Sequence, residues 1–391
     1  MAGTTVNLFR STDAGAPVLS ADQGTLINVL DACLINGYNQ KTITITRSGQ
    51  TATATCTSHG YALDGGTKIR ISGAGQAQYN GDFTIFNVTT NTFDFTVEGS
   101  PASPATGTIT AIVAPLGWSK PFSGTGMAAY RSNVVTGTRL YLQVNDNNPD
   151  ANTYGTARVR GYESMSDVST GTGPFPTTTQ LANGYWFAKS ALASGVSRPW
   201  ILIGDGYEFF LLTLSGTTWT DYKLYHFGDF NSLMQSDPYG CLISGDIGVS
   251  LNQQGGVSNS LTFVSSITTL GGNATSGYIA RAYHQLGASL VGYNHSTYTL
   301  GGSDMGIAGV VPFPNPSNNG LYFSRINITD GLCLRGYYGG WWKPLHTRPF
   351  KQVEMIPASA NHTGRRLLAI PVGGLSSLIG ECAFDIDGPW R

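Results

Sequence analysis

The densest grouping of side chains that could do chemistry is His226 with Asp229, close in sequence to Asp221 and Asp205 and set among aromatic residues. Carboxylates at strand ends suit glycosidic-bond cleavage, which needs two of them facing each other about 5–9.5 Å apart. In a β-rich chain such acids serve more often as turn formers, because Asp accepts hydrogen bonds from backbone just ahead of it. Two further stretches, Asn145-Asp146-Asn147-Asn148-Pro149-Asp150 and Asp385-Ile386-Asp387-Gly388, are rich in oxygen ligands and could hold Ca²⁺. The first lacks the spacing and downstream Glu of an EF-hand loop, and turn chemistry is the expected role of both. The six histidines (His59, His226, His284, His295, His346, His362) show no metal-ligand spacing. No nucleophile elbow, phosphate-cradling loop or dinucleotide fingerprint is present. The expectation is a protein that is not an enzyme and has no cofactor or metal.

Seven tryptophans and 19 tyrosines could line a sugar-binding face, since aromatic rings stack on the apolar faces of sugars. Most are expected in the core or in a subunit interface. A net charge of -1 without any basic run argues against nucleic acid and anionic membrane as partners. Five scattered cysteines (Cys33, Cys56, Cys241, Cys333, Cys382) form no C-x-x-C pair, which disfavours a disulfide scaffold or zinc ribbon. Neither a signal peptide nor a run of about 18 apolar residues is found, so folding in a cytoplasm without membrane insertion is expected. Five N-x-[ST] sequons are read as chance in a chain this rich in Asn, Ser and Thr.

The elements that must position these residues are mostly strands. Charged residues make up only 12%, while glycines number 51 of 391, a composition of pleated surfaces and many turns. One stretch reads as a helix. Ser20 with Gln23 resembles a capping box, Leu26, Ile27, Leu30, Cys33 and Leu34 make an apolar face that should pack on the large domain, and Gly37 is the stop.

Ahead of the helix, residues 1–19 form an arm whose Val6, Leu8 and Phe9 are candidates for anchoring to a neighbour. Its deletion is expected to leave a soluble protein. From Lys41 to Val113 six runs of strict alternation describe a small β-sandwich, with turns at Ser48-Gly49, Asp64-Gly65-Gly66 and Asn80-Gly81. Residues 114–391 form a large aromatic-rich antiparallel β domain, with a hairpin over Tyr207–Phe227 and a Gly/Ser-rich excursion at about 245–316. The fold class is thus mainly β, with helix 20–40 belonging to the large domain and the 41–113 module inserted into it.

Four stretches carry a resemblance: Ala2–Ser11 with Leu30–Leu34; Gly117-Trp118-Ser119-Lys120-Pro121-Phe122-Ser123-Gly124-Thr125; Ala157-Arg158-Val159-Arg160-Gly161-Tyr162 through Asp167; and Pro344-Leu345-His346 with Gly364-Arg365-Arg366-Leu367-Leu368. Together they resemble a group of virion structural proteins of tailed bacteriophages. The resemblance implies a multi-copy component of the particle, favouring tail, baseplate or collar over capsid decoration. It further implies other virion proteins as partners, homo-oligomerisation and location in the virion. It also implies that the 41–113 module is an insertion similar to the Ig-like modules of phage surface proteins. The alternative is a host-surface glycan-binding module on the particle. The resemblance supplies no catalytic residues.

Overall fold

The computed structural model describes residues 5–62, 67–147, 155–190, 195–214, 216, 222–246, 277–296, 317–330, 333–346, 350, 352–373 and 379–391. The protein is mainly β, built from large antiparallel sheets, with one short α-helix among the described residues. Strand β1 (Asn7–Arg10) leads into α1 (Thr25–Leu30), whose last turn, Asp31–Asn36, widens until Gly37 N–H reaches Ala32 O at 2.8 Å.

The helix begins later than Ser20, and no capping box forms. Ser20 Oγ accepts the Asp22 N–H (3.1 Å) in a local turn, and the chain enters the helix through Gly24 in the left-handed region, φ 78°. The helix N–H groups of Leu26 and Ile27, which have no acceptor within the helix, instead donate to Asp146 Oδ2, at 2.8 and 3.4 Å. A carboxylate 120 residues away supplies what the adjacent side chains do not. The apolar face is Leu26, Val29, Leu30, Cys33 and Leu34, all buried, while Ile27 is only half-buried. Val29 completes the i, i+3, i+4, i+7 pattern that Ile27 breaks.

The helix is fastened to the large part of the chain. Cys33 O and Leu34 O accept the N–H groups of Leu116 (2.9 Å) and Trp118 (3.0 Å), Asp31 pairs with Lys120 (2.5 Å), and Tyr130 OH donates to Asp31 (2.8 Å).

Seven strands follow: β2 (Tyr38–Thr42), β3 (Thr44–Ser48), β4 (Thr51–Thr55), β5 (Lys68–Ser72), β6 (Gly81–Thr84), β7 (Thr92–Thr96) and β8 (Thr110–Val113). They form two sheets, β2-β8-β5-β6 and β3-β4-β7. The run Thr42–Thr46 is therefore two strands, and the chain changes sheet at Ile43. Phe83 and Phe95, with ring centroids 4.6 Å apart, join the sheets through a core of Ile45, Ala54, Ile69, Ile71 and Phe93. Asn80-Gly81 is not a hairpin turn; Asn80 closes the 74–80 loop by bonding Ala74 N–H and O. Asp64-Gly65-Gly66 lies outside the described residues. Tyr38 pairs with Val113, so the module leaves and rejoins the chain at adjacent points.

A second sheet contains β9 (Ser119–Gly124), β10 (Met127–Arg131), β11 (Tyr141–Asn145), β12 (Gly155–Met165), β13 (Gly171–Phe175) and β14 (Tyr185–Ser190). The largest sheet takes β1 and then β15 (Trp200–Gly204), β16 (Glu208–Thr213), β17 (Lys223–Asp229), β18 (Asn231–Ser232), β19 (Cys241–Ser244), β20 (Gly277–Ile279), β21 (Leu290–Ser296), β22 (Phe323–Thr329), β23 (Leu334–Pro344), β24 (Glu354–Ile356), β25 (Leu367–Gly373) and β26 (Ile379–Asp385). It curls until β25 returns to the start of β17, where Tyr222 N–H donates to Pro371 O at 3.0 Å. One face encloses a core around Phe210, Trp341 and Phe384, and the other packs Phe9, Trp200, Tyr225 and Phe227 toward the helix.

The anchoring assignment of Val6, Leu8 and Phe9 is corrected by this arrangement. All three are at most 2% exposed, because β1 pairs in full register with β15 and its alternate side chains enter both cores. Asn7 between them donates to Ala114 O (2.6 Å) and accepts the Lys68 N–H (3.0 Å), tying the small module to the sheet.

Two predictions follow from these contacts. Removing residues 1–19 takes a strand and four core side chains, Val6, Leu8, Phe9 and Leu19, from the fold, so the truncated chain should lose its cooperative thermal transition; a soluble, cooperatively melting truncation would contradict the role of β1. Asp146→Ala leaves the buried Lys189 without its carboxylate and uncaps α1, and denaturant titration should show a loss of about 3–5 kcal/mol. Asp146→Asn, which keeps an acceptor for the helix, should fall between that variant and wild type.

Candidate binding cleft

The acid and histidine cluster read from the sequence does not assemble as one site. His226 and Asp229 lie three apart on β17 and so face opposite sides of the sheet. Asp205 is a turn former: its Oδ1 accepts the N–H groups of Tyr207 (2.7 Å) and Glu208 (3.0 Å) between β15 and β16. Asp221 lies outside the described residues. The partner of His226 is Glu208, absent from the sequence-based set. Its Oε2 meets His226 Nε2 at 2.9 Å, and its Oε1 accepts Gly339 N–H (3.0 Å) and an Arg391 guanidinium N–H (2.8 Å). Both side chains are completely buried. Burial pushes the His226 imidazole below its ordinary value, against the pull of Glu208 in the other direction. These groups hold β16, β17, β23 and the final residues together and present no open reaction centre.

Above Glu208 a cleft of about 320 Å³ opens between β23 and the segment Asp385–Arg391. Its floor is made possible by Gly339 and Gly340. A Cβ on Gly340 would lie 2.1 Å from the Trp390 ring, and one on Gly339 2.4 Å from Glu208 Oε1. With no side chain there, Trp390 lies directly on the strand, its indole N–H bonded to Asp385 O at 3.0 Å. The same glycines sit in a wide bulge, where Ile326 on β22 lies opposite the four residues Tyr338–Trp341.

The bulge changes which side chains share a face. Tyr337 and Trp342 are five apart and would point to opposite sides of a regular strand. Here both flank Arg325 on the outer surface, with its guanidinium carbon 4.7 Å from the Tyr337 ring centroid and 5.3 Å from that of Trp342. Arg325 is exposed and pairs with no carboxylate among the described residues. On the far wall Arg365 pairs with Asp385 (2.8 Å) and also donates to Pro389 O (3.2 Å). The cleft is therefore aromatic, and among the described residues its Arg325 guanidinium has no carboxylate partner.

Other sequence-singled residues have structural roles. In the 145–150 stretch, Asp146 is fully buried, capping α1 and paired with Lys189, whose Nζ also donates to Asp22 O at 2.7 Å; residues 148–150 lie outside the described set. Asp385 and Asp387 pair with Arg365 and Arg366 in a tight turn. Among the described residues no group of three or more His, Cys, Asp or Glu side chains is placed to hold a metal. Within the 245–316 excursion, residues 247–276 and 297–316 lie outside the described residues, and the remainder includes β20 and β21. The signal for the cleft was present as Gly339-Gly340 beside Trp341-Trp342, but only the bulge says which tryptophan faces out.

On the opposite face of β17, Asp229 is held by the Thr138 N–H (2.7 Å) and hydroxyl, and burial pushes its carboxyl up to about 6 although the Arg391 charge pulls it down. The folded state thus binds this proton more tightly than the unfolded chain, whose value is near 3.8. The stabilisation is complete below about pH 4 and is lost as pH rises through about 6, amounting to about 3 kcal/mol. Melting temperatures measured from about pH 4 to pH 7 should show this decline in wild type and a flatter profile in Asp229→Asn. In comparisons with known proteins, no family model and no curated protein matches the chain.

Proposed function

We propose that the protein is a structural component of a tailed-bacteriophage virion, present in several copies, held by neighbouring virion proteins, and sited in tail, baseplate or collar. The observation that carries this reading is the resemblance of the four stretches described above. Their roles in the fold are consistent with it, because they fasten elements rather than do chemistry. Lys120 pairs with Asp31 of the helix, Arg160 donates to Pro176 O, Leu181 O and Ala182 O, and Arg365 and Arg366 clamp the Asp385–Asp387 turn. The small two-sheet module is read as an Ig-like insertion, in keeping with its adjacent ends. Attachment does not use Val6, Leu8 and Phe9, which are buried in the chain's own sheets.

The cleft favours a second reading, a glycan-binding module that contacts the host surface. Aromatic walls around a polar group are the common chemistry of sugar recognition. Purified particles labelled with an antibody to this chain should show label at repeated positions on the tail or its ends. Particles that carry no copy of the chain would rule out the structural reading.

A further inference from the structure

We propose that the cleft between β23 and the Asp385–Arg391 segment binds an acidic sugar, with Arg325 taking the carboxylate and Trp342 the ring. The inference rests on the glycan-binding reading and gives it a place and a ligand class.

Three observations carry it. Arg325 is fixed without being neutralised: two rings hold its guanidinium by cation–π contact, and no acid among the described residues pairs with it. A guanidinium held by aromatic rings rather than by an acid keeps N–H groups available, and these match a planar carboxylate through two parallel hydrogen bonds. Trp342, half-buried beside it, offers ring surface to the C–H face of a sugar. The cavity of about 320 Å³ is at the small end of ligand sites, which run from about 300 to 1,000 Å³. A uronate places a carboxylate on the same ring whose C–H face stacks, so one residue of an acidic polysaccharide satisfies both contacts. A neutral sugar would leave the charge of Arg325 unanswered.

The wall opposite adds selectivity. Asp385 is already engaged by Arg365 and by the N–H groups of Asp387 (2.9 Å) and Gly388 (3.1 Å), so it does not compete for Arg325. The bulge at Gly339-Gly340 is what brings Tyr337 and Trp342 to the same side.

Calorimetric titration of the full chain with trigalacturonate, and with the same trisaccharide after carboxyl reduction, tests the proposal. Binding of the acidic form and at least about tenfold weaker binding of the reduced form are expected. Arg325→Ala should weaken trigalacturonate binding about 10–100-fold while leaving the melting temperature unchanged. Trp342→Ala should weaken it likewise and lower the melting temperature somewhat, because its ring also packs against the cluster of Leu321, Ile356 and Leu367, and Arg325→Lys should fall between wild type and Arg325→Ala. Equal binding of both trisaccharides, undiminished binding by Arg325→Ala, or equally effective displacement by inorganic sulfate would overturn it. Pull-down of host polysaccharide by wild type and by Arg325→Ala separates the two readings. Wild type that binds trigalacturonate but no host polysaccharide removes the adhesion reading alone. Host-polysaccharide binding that survives Arg325→Ala and Trp342→Ala removes the acidic-sugar site alone.

Discussion

A carboxylate shut away from water must find partners for both of its oxygens, and Asp146 finds them on elements that lie far apart in the chain. One oxygen takes the free N–H groups at the start of α1, and the other takes the Lys189 ammonium at the end of β14. Lys189 in turn donates to Asp22 O, just ahead of the helix. A buried ion pair adds little over well-packed apolar side chains, but breaking one is expensive because a charge is left behind. What this pair supplies is position. It sets where the helix meets the second sheet, and through the helix carbonyls it sets where the chain resumes at Leu116 and Trp118 after the small module.

From that point the large sheet is committed on both faces. Alternate residues of β15, β16 and β17 enter different cores, so a strand such as Glu208–Thr213 is buried along its whole length. Phe210 is the centre of the enclosed face, within 5.9 Å of the rings of Tyr338, Trp341, Phe384 and Trp390. Glu208, one turn of the pleat away on that face, is acceptable there only because His226, Gly339 and Arg391 use up its hydrogen-bonding capacity. The final residues therefore belong to the core, and the cleft is the groove left where they cross β23.

The proposed binding cleft follows from a departure from regular structure. A strand with unbroken alternation would send Tyr337 and Trp342 to opposite faces and give Arg325 one aromatic neighbour. Two glycines allow Trp390 to lie against the backbone and the strand to bulge, and the outward face gains an aromatic pair around a cation. The carboxylates nearest this groove, Asp385 and Glu208, are tied to Arg365 and Arg391.

Much of the fold was legible in the sequence because it rests on local physics. Period-two alternation marked the small module, and helical spacing through Leu26, Leu30, Cys33 and Leu34 marked α1, since each side chain's face follows from its place in the repeat. The turn role of Asp205 was legible for the same reason. Long-range contacts decided the rest. Nothing near Val6, Leu8 and Phe9 says whether an apolar strand pairs with its own sheet or with a neighbour; β15, nearly 200 residues on, decides it. Ser20 and Gln23 carry a capping signature, yet a distant carboxylate reaches the helix N–H groups and the local signal goes unused. Glu208, Arg325 and Trp342 could not be assembled from spacing, because their neighbours are set by sheet register and by one bulge. Hydrophobic periodicity is written residue by residue, whereas the partners of buried polar groups exist only once the sheets have closed.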